Sequence, residues 1–137
     1  MIRKANANWK GSGKEGKGTV STQSTVLKDN QYSYSSRFEE GIGTNPEELM
    51  AAAHAGCFSM KLSFVLGSKN FVPETIDTTC AITLEAGVIS ASFLEVTAKV
   101  PGITMELFQE CVVEAKDNCP VSKAYNMLIT VKATLVD

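Results

Sequence analysis

Polar and apolar residues repeat with two periods along this chain, and the period changes mark its elements. Residues 2–38 read as three short strands: IRKANANWK, GTVSTQST after a glycine-rich turn (Gly11, Gly13, Gly16, Gly18), and QYSYSSRF after the turn Lys28-Asp29-Asn30. Tight turns between them predict an antiparallel meander. In the third strand a period of two sets Tyr32, Tyr34, Ser36 and Phe38 on one face and Ser33, Ser35 and Arg37 on the other. Arg37 is therefore expected on a strand, pointing away from Phe38.

The pattern then turns helical. Asn45 is an N-cap candidate, Pro46 fits the first helical position, and Glu47 and Glu48 sit where a helix dipole favours negative charge. From Leu49 to Leu66 almost no polar face remains, so this helix must be surrounded by other structure. Residues 75–85 and 88–100 alternate as a strand pair about Ala86-Gly87 and predict a hairpin.

After Pro101-Gly102, Thr104 caps a second helix whose Leu107, Phe108, Cys111, Val112 and Ala115 make one apolar stripe. That helix ends at Asp117-Asn118, and Pro120 forces Cys119 into an extended conformation. A short polar turn over 121–126 leads to MLITVKATLV, a β-branched final strand. The order is βββ-α-ββ-α-β, an α+β protein. Small sheets flanking apolar helices leave apolar faces uncovered in a lone copy of this size, and a homodimer would cover them.

The chain has 137 residues, enough for one core, and 1–137 is expected to form a single domain. With 44% apolar and 20% charged residues it has the balance of a globular protein. The formal charge of −2 and scattered lysines offer no basic stripe, so neither nucleic acid nor an anionic membrane is expected as a partner. The N-terminus lacks the apolar run of a signal peptide and no stretch is expected to span a membrane, which predicts a cytoplasmic protein.

In that compartment the four cysteines, Cys57, Cys80, Cys111 and Cys119, are held reduced, so a disulfide among them points to catalysis rather than structure. No Cys-x-x-Cys occurs and His54 is the sole histidine, so no metal site and no cofactor is expected.

Cys57 lies in the apolar helix, where the plain reading is a small buried hydrophobe. A chemical role requires a nearby cation, because a thiol of pKa about 8.5 is mostly protonated at neutral pH. His54, three residues earlier on the same face, would make a Cys-His acyl-transfer pair, though a packing role fits its alanine-rich surroundings equally well. Arg37 is the other candidate. Glu47 could hold its guanidinium, which would in turn stabilise a thiolate; helix capping and a solvated strand position explain the same two residues without chemistry.

The segments SSRFEEGIGTNPEELMAAAHAGCFSM and KDNCPVSKA closely resemble the two signature regions of the OsmC family of peroxidases. Further similarity runs through Trp9 to Gly11, GKGTVSTQS, VPETIDTTC and VPGIT, so the resemblance covers essentially the whole chain. It implies that Cys57 is the peroxidatic cysteine, Cys119 the resolving cysteine, Arg37 the activating arginine and Glu47 the carboxylate that orients it. His54 resembles a packing residue, and Cys80 and Cys111 carry no implied role. The TNPEELMAAAHAGCF form is similar to the OsmC branch rather than to the organic hydroperoxide resistance proteins.

The resemblance further implies an intertwined homodimer of small antiparallel sheets around two central helices, with two interface sites whose residues come from both chains. The implied reaction is reduction of an organic hydroperoxide through a Cys57 sulfenic acid and a Cys57–Cys119 disulfide, reopened by a dithiol such as a lipoyl protein. A redox sensor with the same disulfide and no turnover is the alternative.

Overall fold

The computed structural model describes residues 1–137, which divide into two compact units, 1–49 and 50–137. The first holds a three-stranded antiparallel sheet, β1 (Ala5–Lys10), β2 (Lys17–Thr22) and β3 (Asn30–Ser33), in that spatial order. Trp9 lies opposite Gly18, which lies opposite Tyr32, and the Trp9 and Tyr32 rings are 5.3 Å apart. A side chain at Gly18 would run into the Tyr32 ring at 2.5 Å, so only glycine fits between these strands.

The third strand is shorter than the alternation predicts. It stops at Ser33, and Tyr34–Phe38 forms a short helix, α1. The reason is serine chemistry. The Ser33 hydroxyl accepts from the Ser36 N–H at 3.2 Å, and the Ser36 hydroxyl accepts from the Ser33 N–H at 2.8 Å, a reciprocal capping box. Helical spacing also brings the Tyr34 and Phe38 rings to 4.8 Å. Arg37 thus sits on a helix, and its guanidinium lies 5.0 Å over the Phe38 ring rather than on the opposite face.

Helix α2 (Pro46–Ser68) starts where its cap signals place it: the Asn45 side-chain oxygen accepts from the Glu48 N–H at 2.8 Å. At 23 residues it is long and apolar enough by composition to cross a membrane, contrary to the sequence expectation. Its residues from Met50 onward nonetheless build the core of the second unit, where Phe58, Leu62, Val65 and Leu66 are buried.

In that second unit β4 (Thr75–Glu85) and β5 (Val88–Lys99) form the expected hairpin. Ala86 and Gly87 both take positive φ, 49° and 79°, in the two-residue turn that matches strand twist. Helix α3 (Met105–Asn118) is capped by the Thr104 hydroxyl, which accepts from the Leu107 N–H at 3.3 Å. The polar stretch expected as a turn contains a further short helix, α4 (Pro120–Ala124), because Pro120 is preset for a first helical position.

Strand β6 (Leu128–Val136) then pairs with β5 in parallel, giving the order β4-β5-β6. The second sheet is therefore mixed, and the expectation of antiparallel sheets holds only for the first. A parallel return requires a long crossover, which α3 and α4 supply. Leu94, Val96 and Ala98 of β5 meet Phe108, Val112 and Ala115 of α3 and the α2 residues in one core. The whole is an α+β protein with two more helical turns than the pattern predicts.

Candidate active site

Two groups of polar side chains stand out, one in each unit. In the first, the backbone around Ser36 fixes the geometry: its hydroxyl donates to the Thr44 carbonyl at 2.9 Å, and its own carbonyl accepts from the Asn45 amide at 3.0 Å. Helix α1 is thereby tied to the cap of α2, and Arg37 meets Glu47. Arg37 Nε donates to both Glu47 carboxylate oxygens at 2.9 and 3.2 Å, and Nη2 donates to Oε1 at 2.6 Å.

Glu47 keeps only 13% of its side chain exposed and Arg37 keeps 37%. The hydrogen bonds to Glu47 raise the Arg37 pKa. Burial pushes the Glu47 carboxyl up, but the guanidinium outweighs it and holds the group below its ordinary value. Glu48 is engaged differently, accepting from the Thr44 hydroxyl. The division of roles expected for the two glutamates, one for the arginine and one for the helix start, is the division of their contacts. Beside the pair, Trp9, Tyr32, Tyr34 and Phe38 wall an aromatic cleft that Arg37 lines.

The second group is built on thiols. Cys57 is half-buried on α2 and packs against a core that includes the fully buried Cys119; both are free thiols. Cys119 is extended, with φ −66° and ψ 124°, at the junction of α3 and α4, as its proline neighbour dictates. The two side chains interact. Burial pushes the Cys57 thiol up, the interaction with Cys119 adds to that, and the Val121 N–H and the Lys61 charge oppose it without prevailing.

Cys119 goes the other way. Burial disfavours its thiolate, but the Ser122 N–H, Cys57, the Ser122 hydroxyl and the Val121 N–H together bring its pKa below the ordinary value. Its side chain makes no capping hydrogen bond.

His54 is fully buried and hydrogen-bonded at both ring nitrogens, Nδ1 to the Ser92 hydroxyl at 2.7 Å and Nε2 to the Ser122 hydroxyl at 2.8 Å. Burial lowers its pKa, keeping the ring neutral. With both nitrogens engaged by serines it is no base for Cys57, and the acyl-transfer alternative loses its key residue. Cys80, expected as a core residue, packs half-buried against the core with its sulfur 3.2 Å from the Ser92 hydroxyl, and Cys111 is fully buried in the core as expected.

Structure thus brings together Arg37 with Glu47, and Cys57 with Cys119. Ser36, Ser92 and Ser122, the residues that hold these groups in place, were not singled out from the sequence. Only Ser122 carries a local signal, lying three residues after the extended Cys119 and in the first turn after a proline.

The model of the OsmC-like protein family matches residues 39–134. Peroxiredoxin OsmC of Escherichia coli is 47% identical over 132 residues, covering 93% of this chain and 92% of the relative. The organic hydroperoxide resistance protein OhrB of Bacillus subtilis matches in structure with a TM-score of 0.65 at 25% identity, over 97% of this chain and 98% of that one. An OsmC-like protein from Mycoplasma pneumoniae shares the fold at 13% identity, with a TM-score of 0.76 over 100% and 99% of the two chains. The chain belongs to the OsmC-like protein family.

Proposed function

We infer that this protein is a cysteine-based peroxidase that reduces organic hydroperoxides to alcohols, with Cys57 as the peroxidatic and Cys119 as the resolving residue. The observation that carries the reading is a pair of free thiols at one core, Cys57 half-buried on α2 and packed against the cluster that holds the fully buried Cys119. The names of the relatives, a peroxiredoxin and an organic hydroperoxide resistance protein, support the same chemistry.

The thiolate of Cys57 attacks the peroxide oxygen distal to the organic group, the O–O bond breaks, and the departing alkoxide takes a proton to become the alcohol. Cys57 is left as a sulfenic acid. Cys119 then attacks that sulfur, water leaves and the disulfide forms. A dithiol reductant, such as a lipoyl protein, transfers two electrons to reopen it and is itself oxidised to a disulfide.

Cys57 needs a cation stronger in effect than Lys61, because burial prevails over the latter. Our reading assigns that role to Arg37, presented in fixed orientation by its fork of hydrogen bonds to Glu47 and contributed by the same chain or by a partner in a homodimer. A homodimer is supported by Met60 and Phe64 on α2, which are 61% and 70% exposed and would be covered by a second copy. We assign the chain as one OsmC-like domain acting in the cytoplasm, where four free thiols remain reduced. The aromatic walls beside Arg37 favour hydroperoxides with an apolar body over hydrogen peroxide.

Multiple-turnover consumption of cumene hydroperoxide with dihydrolipoamide as reductant tests the reading. Many equivalents consumed per chain, with cumyl alcohol formed, is the expected result. Consumption that halts at one equivalent would make the protein a redox sensor and overturn it.

A further inference from the structure

Beyond its first turn, helix α2 carries a single charged side chain. Between Glu48 and Ser68 the only lysine, arginine, aspartate or glutamate is Lys61, and Phe58 and Leu62 near it on the helix are fully buried. A cation loses solvation wherever a helix packs against a core, so its presence there calls for a reason. The helical register supplies one. Lys61 follows Cys57 by four residues, the spacing at which side chains are neighbours on one helix face, about 5–6 Å apart at Cβ. Both are half-buried, so they share the border between core and solvent. A lysine at such a border lays its stem on apolar surface and keeps its charge at the edge.

Lys61 also differs from every other lysine of the second unit, because each of those has a side-chain partner. Lys69 pairs with Glu114 at 3.8 Å, Lys99 with Glu74 at 3.1 Å, Lys116 with Asp117 at 2.8 Å and Lys132 with Glu95 at 2.7 Å. Lys123 donates to the Asn118 side chain at 3.4 Å. Lys61 alone makes no ion pair and no side-chain hydrogen bond, so no carboxylate cancels its field at the neighbouring sulfur.

We propose that Lys61 is a second cation for the peroxidatic thiol: one helical turn beyond Cys57 and without a counter-ion of its own, it stabilises the Cys57 thiolate that attacks the hydroperoxide. The proposal rests on the peroxidase reading of Cys57. It concerns the step before the attack, in which the Cys57 thiol gives its proton to solvent; the thiolate then supplies the electron pair that breaks the O–O bond. Lys61 acts through the thiolate rather than on the peroxide, which makes it a positioning residue. The two cations differ in kind. Arg37 is bound through Nε and Nη2 to a carboxylate that offsets its charge, whereas Lys61 acts unpaired, at a spacing from the thiol that the helix itself fixes. The titration of the thiol has the same sense: burial raises the Cys57 pKa, and the Lys61 charge is among the influences that lower it.

The other titratable groups around Cys57 leave this role open. His54, on the same helix, is buried, neutral and bonded at both nitrogens. From beyond α3 come Cys119 and Tyr125, whose hydroxyl donates to the Met50 carbonyl at 2.9 Å. Cys80 of β4 is engaged with Ser92, and Asp77 and Glu85 of that strand are exposed, as are Glu106 and Glu110 of α3. Lys116, Asp117 and Lys123, which line the cleft at Ser122, have the partners given above.

The test is the pH midpoint of Cys57 alkylation by a thiolate-selective reagent, in a Cys80→Ser/Cys111→Ser/Cys119→Ser background. Lys61→Met keeps the stem and deletes the charge, and should raise the midpoint by about 0.5 unit, about threefold in thiolate at pH 7. Lys61→Glu should raise it by about one unit, since it replaces attraction by repulsion, and Lys61→Arg should restore the wild-type value. In the otherwise wild-type chain, Lys61→Met should lower kcat/KM for cumene hydroperoxide about threefold at pH 7 with KM unchanged, and the two rates should converge above both midpoints. An unmoved midpoint in Lys61→Glu overturns the proposal, and so does a rate loss in Lys61→Met that persists at every pH, since loosened packing slows a step without changing its titration. Wild-type protein that shows these midpoints yet consumes no hydroperoxide would instead refute the peroxidase reading itself.

Discussion

Replacing Arg37 by methionine keeps much of the side-chain length while deleting the charge and the hydrogen bonds to Glu47. A thiol at its ordinary pKa of about 8.5 is only about 3% ionised at pH 7. Burial and Cys119 push Cys57 higher still. A cation brought to about 4 Å contributes roughly 4 kcal/mol at an effective dielectric constant of about 20. Because 37% of the Arg37 side chain is exposed, solvent screens it and about half that figure, ~2 kcal/mol, is the reasonable expectation. That corresponds to about 1.5 pKa units, or roughly 30-fold in thiolate population.

Arg37→Met should therefore lower kcat/KM for cumene hydroperoxide about 30-fold at pH 7. Arg37→Lys should recover part of the loss, since a point charge lacks the planar fork that engages Glu47. The direct measurement is the pH midpoint of Cys57 alkylation, taken with a thiolate-selective reagent in a Cys80→Ser/Cys111→Ser/Cys119→Ser background. The midpoint should rise by about 1.5 units in Arg37→Met. An unchanged midpoint with an unchanged rate would show that Arg37 does nothing more than stack on Phe38 and pair with Glu47.

Other substitutions separate the remaining roles. Cys57→Ser should abolish peroxide reduction, whereas Cys119→Ser should complete one rapid turnover and stop as a dimedone-reactive sulfenic acid; sustained turnover by Cys57→Ser refutes the assignment. Leu62→Ala, at a fully buried core position of α2, should cost about 2–5 kcal/mol in denaturant unfolding, and a loss under ~1 kcal/mol would mean this helix face is not packed as described. Acid should act in two stages. The lowered pKa of buried His54 makes stability fall as pH drops below about 6.5, where only the unfolded chain binds the proton. The lowered pKa of Glu47 gives a contribution present above about pH 4.3 and lost as pH falls through the folded value. Glu47→Gln should remove the second stage alone in pH-dependent unfolding.

The strongest elements were legible from the sequence because their signals are local. Asn45, Pro46 and the two glutamates mark the start of α2, Ala86-Gly87 marks the hairpin turn, and Thr104 and Pro120 bracket α3. Each is decided within a few residues by a cap, a positive φ or a missing N–H, so no distant contact is needed to read it. Cys57, Arg37 and Glu47 were candidates on residue chemistry that left their roles open, and the resemblance of two short segments to a family assigned those roles and that of Cys119.

What the sequence missed depended on competition between local and distant partners. The alternation through Tyr34 and Phe38 reads as a strand, yet Ser33 and Ser36 satisfy one another's backbone N–H groups and wind the segment into α1. That winding carries Arg37 onto the Phe38 ring and within reach of Glu47. Likewise nothing local says that β6 returns parallel to β5, or that Ser92 and Ser122 will clamp His54 from opposite sides. A hydroxyl has no periodicity of its own. Its role is set by whichever donor or acceptor the packed chain brings within about 3 Å, and that choice belongs to the tertiary structure.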